Sequence, residues 1–204
     1  MKNNHSIMVA TDMSECATMA ESRAAMLCQQ LGKSRLDIIN VQDLSIIDML
    51  TRVLKSSSSD TEDAVRESMS GDLAQVATRL ENKYRIPCER LIRFGNPVAE
   101  IMKEIVARGT GLLVIGAHGN GPKSHDFLGN LPSKLLQISP VPLLVIRQEP
   151  KRAYDKIMIA VDFSEISYYQ ARQALSLATP DAEIVFVHAY EVPNEGIMRY
   201  ANVS

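Results

Sequence analysis

Tryptophan is absent from the 204-residue chain, and aromatic residues make up only 5% of it. Surfaces that stack bases or sugars draw on aromatic faces, so this scarcity argues against both. Cysteine is scarce too. Cys16, Cys28 and Cys88 are an odd number with no Cys-x-x-Cys spacing, and they read as reduced thiols of a cytoplasmic protein. Charge of one sign is missing: the formal net charge is −2, which gives no bulk attraction to nucleic acid or an anionic membrane. No apolar run reaches the roughly 18 residues that a membrane span needs. Residues Met1–Ser6 carry one Lys and no apolar centre, so they do not read as a secretory signal. The expectation from these absences is a soluble cytoplasmic chain with no nucleic-acid or membrane partner.

What is there is an ordinary globular balance, 46% apolar and 23% charged, patterned as alternating strands and helices. Ser6–Thr11 is a short apolar run of strand length. Ser14 stands at an N-cap position before Ala17, Ala20, Ala24, Leu27 and Leu31, and Gly32 closes that helix. Leu36–Val41 is the second strand. Ser56–Asp60 reads as a flexible connection. From Thr61, the residues Val65, Met69, Leu73, Val76, Leu80 and Tyr84 form one helical stripe. Cys88–Phe94 is a third strand. Gly95-Asn96-Pro97 opens a helix that Gly109 closes. Leu112–Ile115 is a fourth strand, and a glycine-containing loop runs from Gly116 to Gly129. A short helix spans Pro132–Ile138, and Val141–Ile146 is a fifth strand. Near-continuous apolar strands alternating with helices predict an α/β fold, a doubly wound parallel sheet covered on both faces.

Then the pattern restarts. Lys156–Glu165 (KIMIAVDFSE) echoes Ser6–Glu15 (SIMVATDMSE), with Asp162 over Asp12 and Ser164 over Ser14. A helix is expected over Ser164–Thr179, and Glu183–Ala189 repeats the second strand. The expected division is a complete domain over 1–150 and the opening third of a second copy, β-α-β, over 151–204. About 50 residues of this kind do not bury a self-sufficient core. The segment is therefore expected to pack on its own first domain or on a second chain, or to be continued beyond Ser204.

Ligands of open α/β sheets lie beyond the carboxyl ends of the strands, where strand order reverses. If the first and fourth strands are neighbours, Thr11-Asp12 and the loop from Gly116 line one crevice. Glycines let backbone N–H groups approach a phosphate closely, and the helix starting near Asn130 adds its positive end. Asp12 suits a ribose hydroxyl or a divalent cation. The plainer alternative is that Asp12 caps its own turn and that Gly116 and Gly119 are loop glycines. Gly116–Ser124 (GAHGNGPKS) imitates a phosphate loop but places a proline before the Lys-Ser pair, which breaks that motif.

The spacing of Gly116, Gly119 and Gly129, the Pro140-Val141-Pro142 start of the fifth strand, the Gly95-Asn96-Pro97 helix start and the Thr11-Asp12 strand end resemble the universal stress protein family. The resemblance covers Ile7–Arg147, and Lys156–Val192 resembles the first third of another such domain. It implies a Rossmann-like five-stranded sheet of order 3-2-1-4-5 and two subgroups, one binding ATP and one not. By this resemblance Gly116, Gly119, Gly129 and Asn130 are the phosphate positions, Asp12 the strand-one aspartate, and Val41 the adenine-contacting backbone. Two departures stand out. Asn130 replaces a Ser or Thr, and Pro132 brings neither a hydroxyl nor an N–H. Each lost bond to a charged phosphate costs roughly 1.5–3 kcal/mol, so ATP binding and its absence both remain open, with Mg2+ entering only with the nucleotide.

His118 is expected to bond backbone or phosphate within the loop. His118 and His125 lack the further ligands of a metal site, so no metal is expected. Lys123 is a solvated loop residue or a phosphate contact, and Ser14 is a helix cap, with no base to make it a nucleophile. Cys16, in a first helical turn, is a packing residue or a redox thiol. With no identifiable catalytic group, the leading expectation is a stress-associated binding or regulatory module rather than an enzyme, nucleotide-responsive or nucleotide-independent. A nucleotide hydrolase or ATP-using transferase would have to draw on His118, Lys123, His125 and Asp126. A regulator with a filled crevice is a third reading. The fifth strand lies at the sheet edge, where bare apolar strands are usually covered. The resemblance implies pairing of fifth strands, so a homodimer through residues 141–146 is expected, beside an unidentified protein partner.

Overall fold

A computed structural model describes residues 6–45, 49, 51, 53, 58–119 and 128–190 of the chain. It divides into two compact units after Ala153. The first unit contains β1 (Ser6–Ala10), α1 (Glu15–Gln30), β2 (Leu36–Gln42), α2 (Ser58–Tyr84), β3 (Cys88–Phe94), α3 (Pro97–Arg108), β4 (Thr110–Gly116), α4 (Asn130–Ile138) and β5 (Leu143–Ile146). Its strands form one parallel sheet of order β3-β2-β1-β4-β5, the order that the family resemblance implies.

The central place of β1 follows from its composition. Ile7, Met8 and Val9 are consecutive, apolar and fully buried, which requires cover on both faces. α1 packs on β1 and β4 and also touches α2, whereas α3 packs on β2 and β4 and touches α4. Side chains alternate between the two layers. Met8, Ala10, Ile39, Leu91, Leu113 and Ile115 therefore meet Ile101, Ile105 and Leu135 in one core cluster.

The caps are where the residue types require them. Ser14 Oγ accepts from the Ala17 N–H at 3.1 Å, and Asn96 Oδ1 accepts from the Ala99 N–H at 3.1 Å. Pro97 opens α3 and Gly109, at φ 62°, closes it in the left-handed region. The stripe predicted for α2 is its inner face, with Leu73, Leu80 and Tyr84 buried.

Several boundaries differ from those expected. α1 ends at Gln30 rather than running to Gly32. α2 begins at Ser58, so the end of the serine run is helical rather than a flexible connection; Ser56 and Ser57 lie outside the described residues. β4 extends one residue past the expected Ile115 and starts two residues before Leu112. The helix expected from Pro132 starts at Asn130, since proline belongs in a first turn and does not have to begin it. β5 is shorter than 141–146: the Val141 N–H is turned to Ser139 Oγ at 3.3 Å, and Pro142 has no N–H to give a ladder.

The second unit holds β6 (Tyr154–Ala160), α5 (Glu165–Ser176) and β7 (Ala178–Val187). β6 and β7 are parallel, with a register irregularity between Tyr154 and Lys156. β7 begins before the expected Glu183 and includes Pro180, and α5 ends at Ser176, short of the expected Thr179. The turn into α5 repeats the turn into α1. Met13 and Phe163 have φ of 64° and 63°, and the Ser14 and Ser164 N–H groups donate to Asp12 and Asp162 Oδ1 at 3.1 and 2.9 Å.

Candidate nucleotide site at the strand ends

β1 pairs with β4 along its length, with Ala10 opposite Ile115. Strand order reverses here, because β2 lies on one side of β1 and β4 on the other. A cavity of about 450 Å3 opens at this point, a size in the range of small-molecule sites. Thr11, Asp12, Val41, Gly116, His118, Gly119, Gly129 and Asn130 all line it. The eight candidates of the sequence thus come together from four separate segments.

The floor is the top of the hydrophobic core. Ala10, Ile39, Ile101 and Ile115 belong both to the core cluster and to the cavity wall. Pro97, Leu131 and Pro132 complete an apolar side. Pro97 and Pro132 were singled out in the sequence for other reasons; Ala10, Ile39, Ile115 and Leu131 were not, though strand alternation places Ala10, Ile39 and Val41 on a single face.

Asp12 caps its turn and lines the cavity. Its Oδ1 caps the turn by accepting from Ser14, while the carboxylate also forms part of the cavity wall. Its other oxygen, Oδ2, stands so close to Gly119 that a Cβ there would overlap it. Thr11 contributes less than expected. Its hydroxyl donates to Glu21 Oε1 at 2.5 Å and accepts from the Met13 N–H at 3.1 Å, and its carbonyl accepts from Asn40 Nδ2 at 2.8 Å. The residue holds the turn rather than offering a free hydroxyl to a ligand.

The loop glycines have separate reasons. At Gly116 a Cβ would lie 2.7 Å from the Cys16 carbonyl carbon and 2.9 Å from the Ala17 nitrogen, so β4 passes under the start of α1 only because this side chain is absent. Gly129 is the N-cap of α4 and has no side chain to bond its first turn; its own N–H donates to the Ala117 carbonyl at 2.8 Å. First-turn N–H groups of a helix have no intrahelical acceptor. Here Asn130 and Leu131 carry them at the cavity wall, and Pro132, which is buried, carries none.

Lys123, Ser124, His125 and Asp126 lie outside the described residues, as does most of the run that imitates a phosphate loop. Among the described residues no group of three or more His, Cys, Asp or Glu side chains could hold a metal, and no helix is long and apolar enough to cross a membrane. The three cysteines are free thiols. Burial pushes Cys28 and Cys88 up to about 12, which makes both inert as nucleophiles at neutral pH.

Sequence reasoning missed the buried ions. Glu21 is completely buried and pairs with Arg79 of α2. Asp37, also completely buried, accepts from Arg35 Nε at 2.8 Å and lies 3.5 Å from Arg108 Nη1. Both sit at positions whose spacing reads as apolar, so only a charged residue within a buried stripe could have signalled them.

No curated protein matches the chain. Among solved structures, a universal stress protein from Archaeoglobus fulgidus is similar over 98% of this chain and 72% of its own, at 19% identity and a TM-score of 0.74. Universal stress protein UspA from Lactobacillus plantarum is similar over 71% of this chain and 98% of its own, at 21% identity and a TM-score of 0.60. A protein of the same family from Burkholderia pseudomallei covers 72% of this chain with 98% of its own, at 19% identity and a TM-score of 0.54. At these identities the likeness is one of fold. The sequence model described as the universal stress protein family matches residues 3–147, the whole span of the five-stranded sheet, and the chain therefore belongs to the universal stress protein family.

Proposed function

We propose that the chain is a stress-response binding module whose cavity takes an adenine nucleotide, and that it works through ligand-dependent protein contacts rather than turnover. The observation that carries this reading is the convergence at one cavity of an apolar floor, a carboxylate and a helix N-terminus. An apolar floor suits a purine ring, a carboxylate suits ribose hydroxyls, and first-turn N–H groups suit phosphate. Gly119 lies so close to the Asp12 carboxylate that any side chain there would displace it. In this assignment Ile39, Val41 and Ile101 face the base, Asp12 the ribose, and Gly129, Asn130 and Leu131 the phosphates. Mg2+ accompanies the phosphates. Pro132 withholds one donor, which favours modest ATP affinity.

Calorimetric titration of ATP with Mg2+ tests the assignment. The wild-type chain is expected to bind, and Asp12→Ala to bind about tenfold more weakly, the equivalent of roughly 1.4 kcal/mol. Equal binding by the two would remove Asp12 from the site, and no binding by the wild type would overturn the nucleotide reading. Sustained release of ADP or AMP at enzyme-like rates would favour a hydrolase instead. Residues 154–204 fit the opening of a second domain of the same type, since their turn repeats that of the first unit. The edge position of β5 supports its pairing with the same strand of a second chain.

A further inference from the structure

We infer that Glu21 is a positioning residue for the cavity: through Thr11 it ties the Asp12 wall to Arg79 of α2, and so governs ligand affinity without touching the ligand. The affinity part rests on the nucleotide reading above; the positioning part does not.

The tie is a continuous chain of bonds. Arg79 Nη2 donates to Glu21 Oε2. Glu21 Oε1 accepts from the Thr11 hydroxyl at 2.5 Å, and the same hydroxyl accepts from the Met13 N–H at 3.1 Å. Asp12 lies between those two residues and lines the cavity. Three elements meet in this chain: the end of β1, the buried face of α1 and the outer part of α2.

A completely buried carboxylate is costly and seldom repays its desolvation in stability alone. Burial, helped by the nearby negative Asp12, pushes Glu21 up against the opposing pull of Thr11 and Arg79. The residue is therefore retained at a cost, and the second unit shows that the cost is not needed to make the turn. Val161 stands where Thr11 does and Ala171 where Glu21 does. Phe163 still adopts φ 63°, Asp162 still accepts from Ser164, and Ser164 still caps its helix at 3.1 Å. Even the carbonyl bond recurs, with His188 Nδ1 2.7 Å from the Val161 carbonyl in place of Asn40 on Thr11. The same turn forms without the Thr–Glu pair. What the pair adds is the attachment to α2, made beside the aspartate that lines the cavity.

The test replaces the pair by what the second unit carries, Thr11→Val with Glu21→Ala. In the ligand-free protein the Ser14 amide, which donates to Asp12, is expected to exchange about tenfold faster than in wild type, with the Ser164 amide unchanged as the internal control. An unchanged Ser14 amide overturns the inference whether or not the chain binds nucleotide. In ATP–Mg2+ titrations the double substitution is expected to weaken binding about tenfold, and to add nothing further in an Asp12→Ala background, because it acts through Asp12. Equal losses in both backgrounds would reveal a merely structural role and overturn it. If wild type takes up no ATP, the nucleotide reading fails and the exchange result alone decides the positioning. Should the double variant not fold, Arg79→Met, which alters a half-exposed side chain, gives the same two readings: faster Ser14 exchange supports the tie and an unaltered rate refutes it.

Discussion

Gly116 and Gly119 look interchangeable in the sequence, yet a methyl group would do different things at each. At Gly116 the obstacle is backbone, the Cys16 carbonyl and the Ala17 nitrogen within 2.9 Å, and neither can step aside without moving α1. Gly116→Ala is expected to cost about 1–3 kcal/mol, the usual penalty of overpacking, read as a lower urea midpoint with an unchanged slope. At Gly119 the obstacle is the tip of the Asp12 side chain, which can rotate. Gly119→Ala is therefore expected to keep its stability within about 0.5 kcal/mol and to lose ATP affinity because Asp12 has turned. A variant that unfolds early but binds normally would contradict this. The spacing of the glycines was legible in the sequence, as was Asp12. Their separate reasons were not, because a distance of closest approach between β4 and α1 is a property of packing that no spacing encodes. Thr11 shows the reverse limit: its place at the cavity was legible, but the claim of Glu21 on its hydroxyl was not, since the two stand on different elements.

Helices were read well where a capping residue marked them. Ser14, Asn96 and Gly109 all occupy the capping positions assigned to them. Ser14→Ala is expected to cost about 1 kcal/mol through its lost bond to the Ala17 N–H, and a thermal transition unchanged from wild type would show that Asp12 alone holds the turn. A strand preceded by prolines was read less well. The Pro140–Pro142 stretch looks like strand by its apolar content, but missing donors delay β5 to Leu143. The charges that link elements were not read at all. Arg108, on the last turn of α3, reaches Glu104 at 3.0 Å on its own helix and Glu89 at 2.8 Å on β3. The Arg108 hydrogen bond chiefly holds Glu89 below the ordinary carboxylate range. For Glu104, burial pushes upward, but the guanidiniums of Arg93 and Arg108 outweigh it and the carboxyl is lowered. A carboxyl lowered on folding adds stability that is present above its unfolded pKa and lost as pH falls through its folded value. Arg108→Gln should thus cost about 1–3 kcal/mol at pH 7, where buried Glu104 and Asp37 lose a partner and the half-exposed, solvent-screened Glu89 adds little, and the gap to wild type should narrow on acidification. Urea unfolding across acid pH checks the sign; a gap that widens toward low pH would contradict it.

At the scale of the whole molecule, alternation of apolar strands and helices was sufficient for the α/β class, and the resemblance of a few motifs for the strand order. What covers the second unit was not legible, because Met158, Phe163, Ile166 and Tyr168 are exposed and nothing in their pattern names what meets them. The edge strand β5 carries a prediction of the same scale. If it pairs with its counterpart in a second chain, sedimentation at micromolar concentration returns a dimer; a monomer under those conditions contradicts the pairing. The adjacency of β1 and β4 has a kinetic consequence. Ala10 and Ile115 are separated by about a hundred residues of chain, and closing so large a loop is among the slower events in folding such a topology. The chamber above those strands is therefore expected to form late, so a partly unravelled first unit would have nowhere to seat a guest, and occupancy by a small molecule would report that this unit had finished folding.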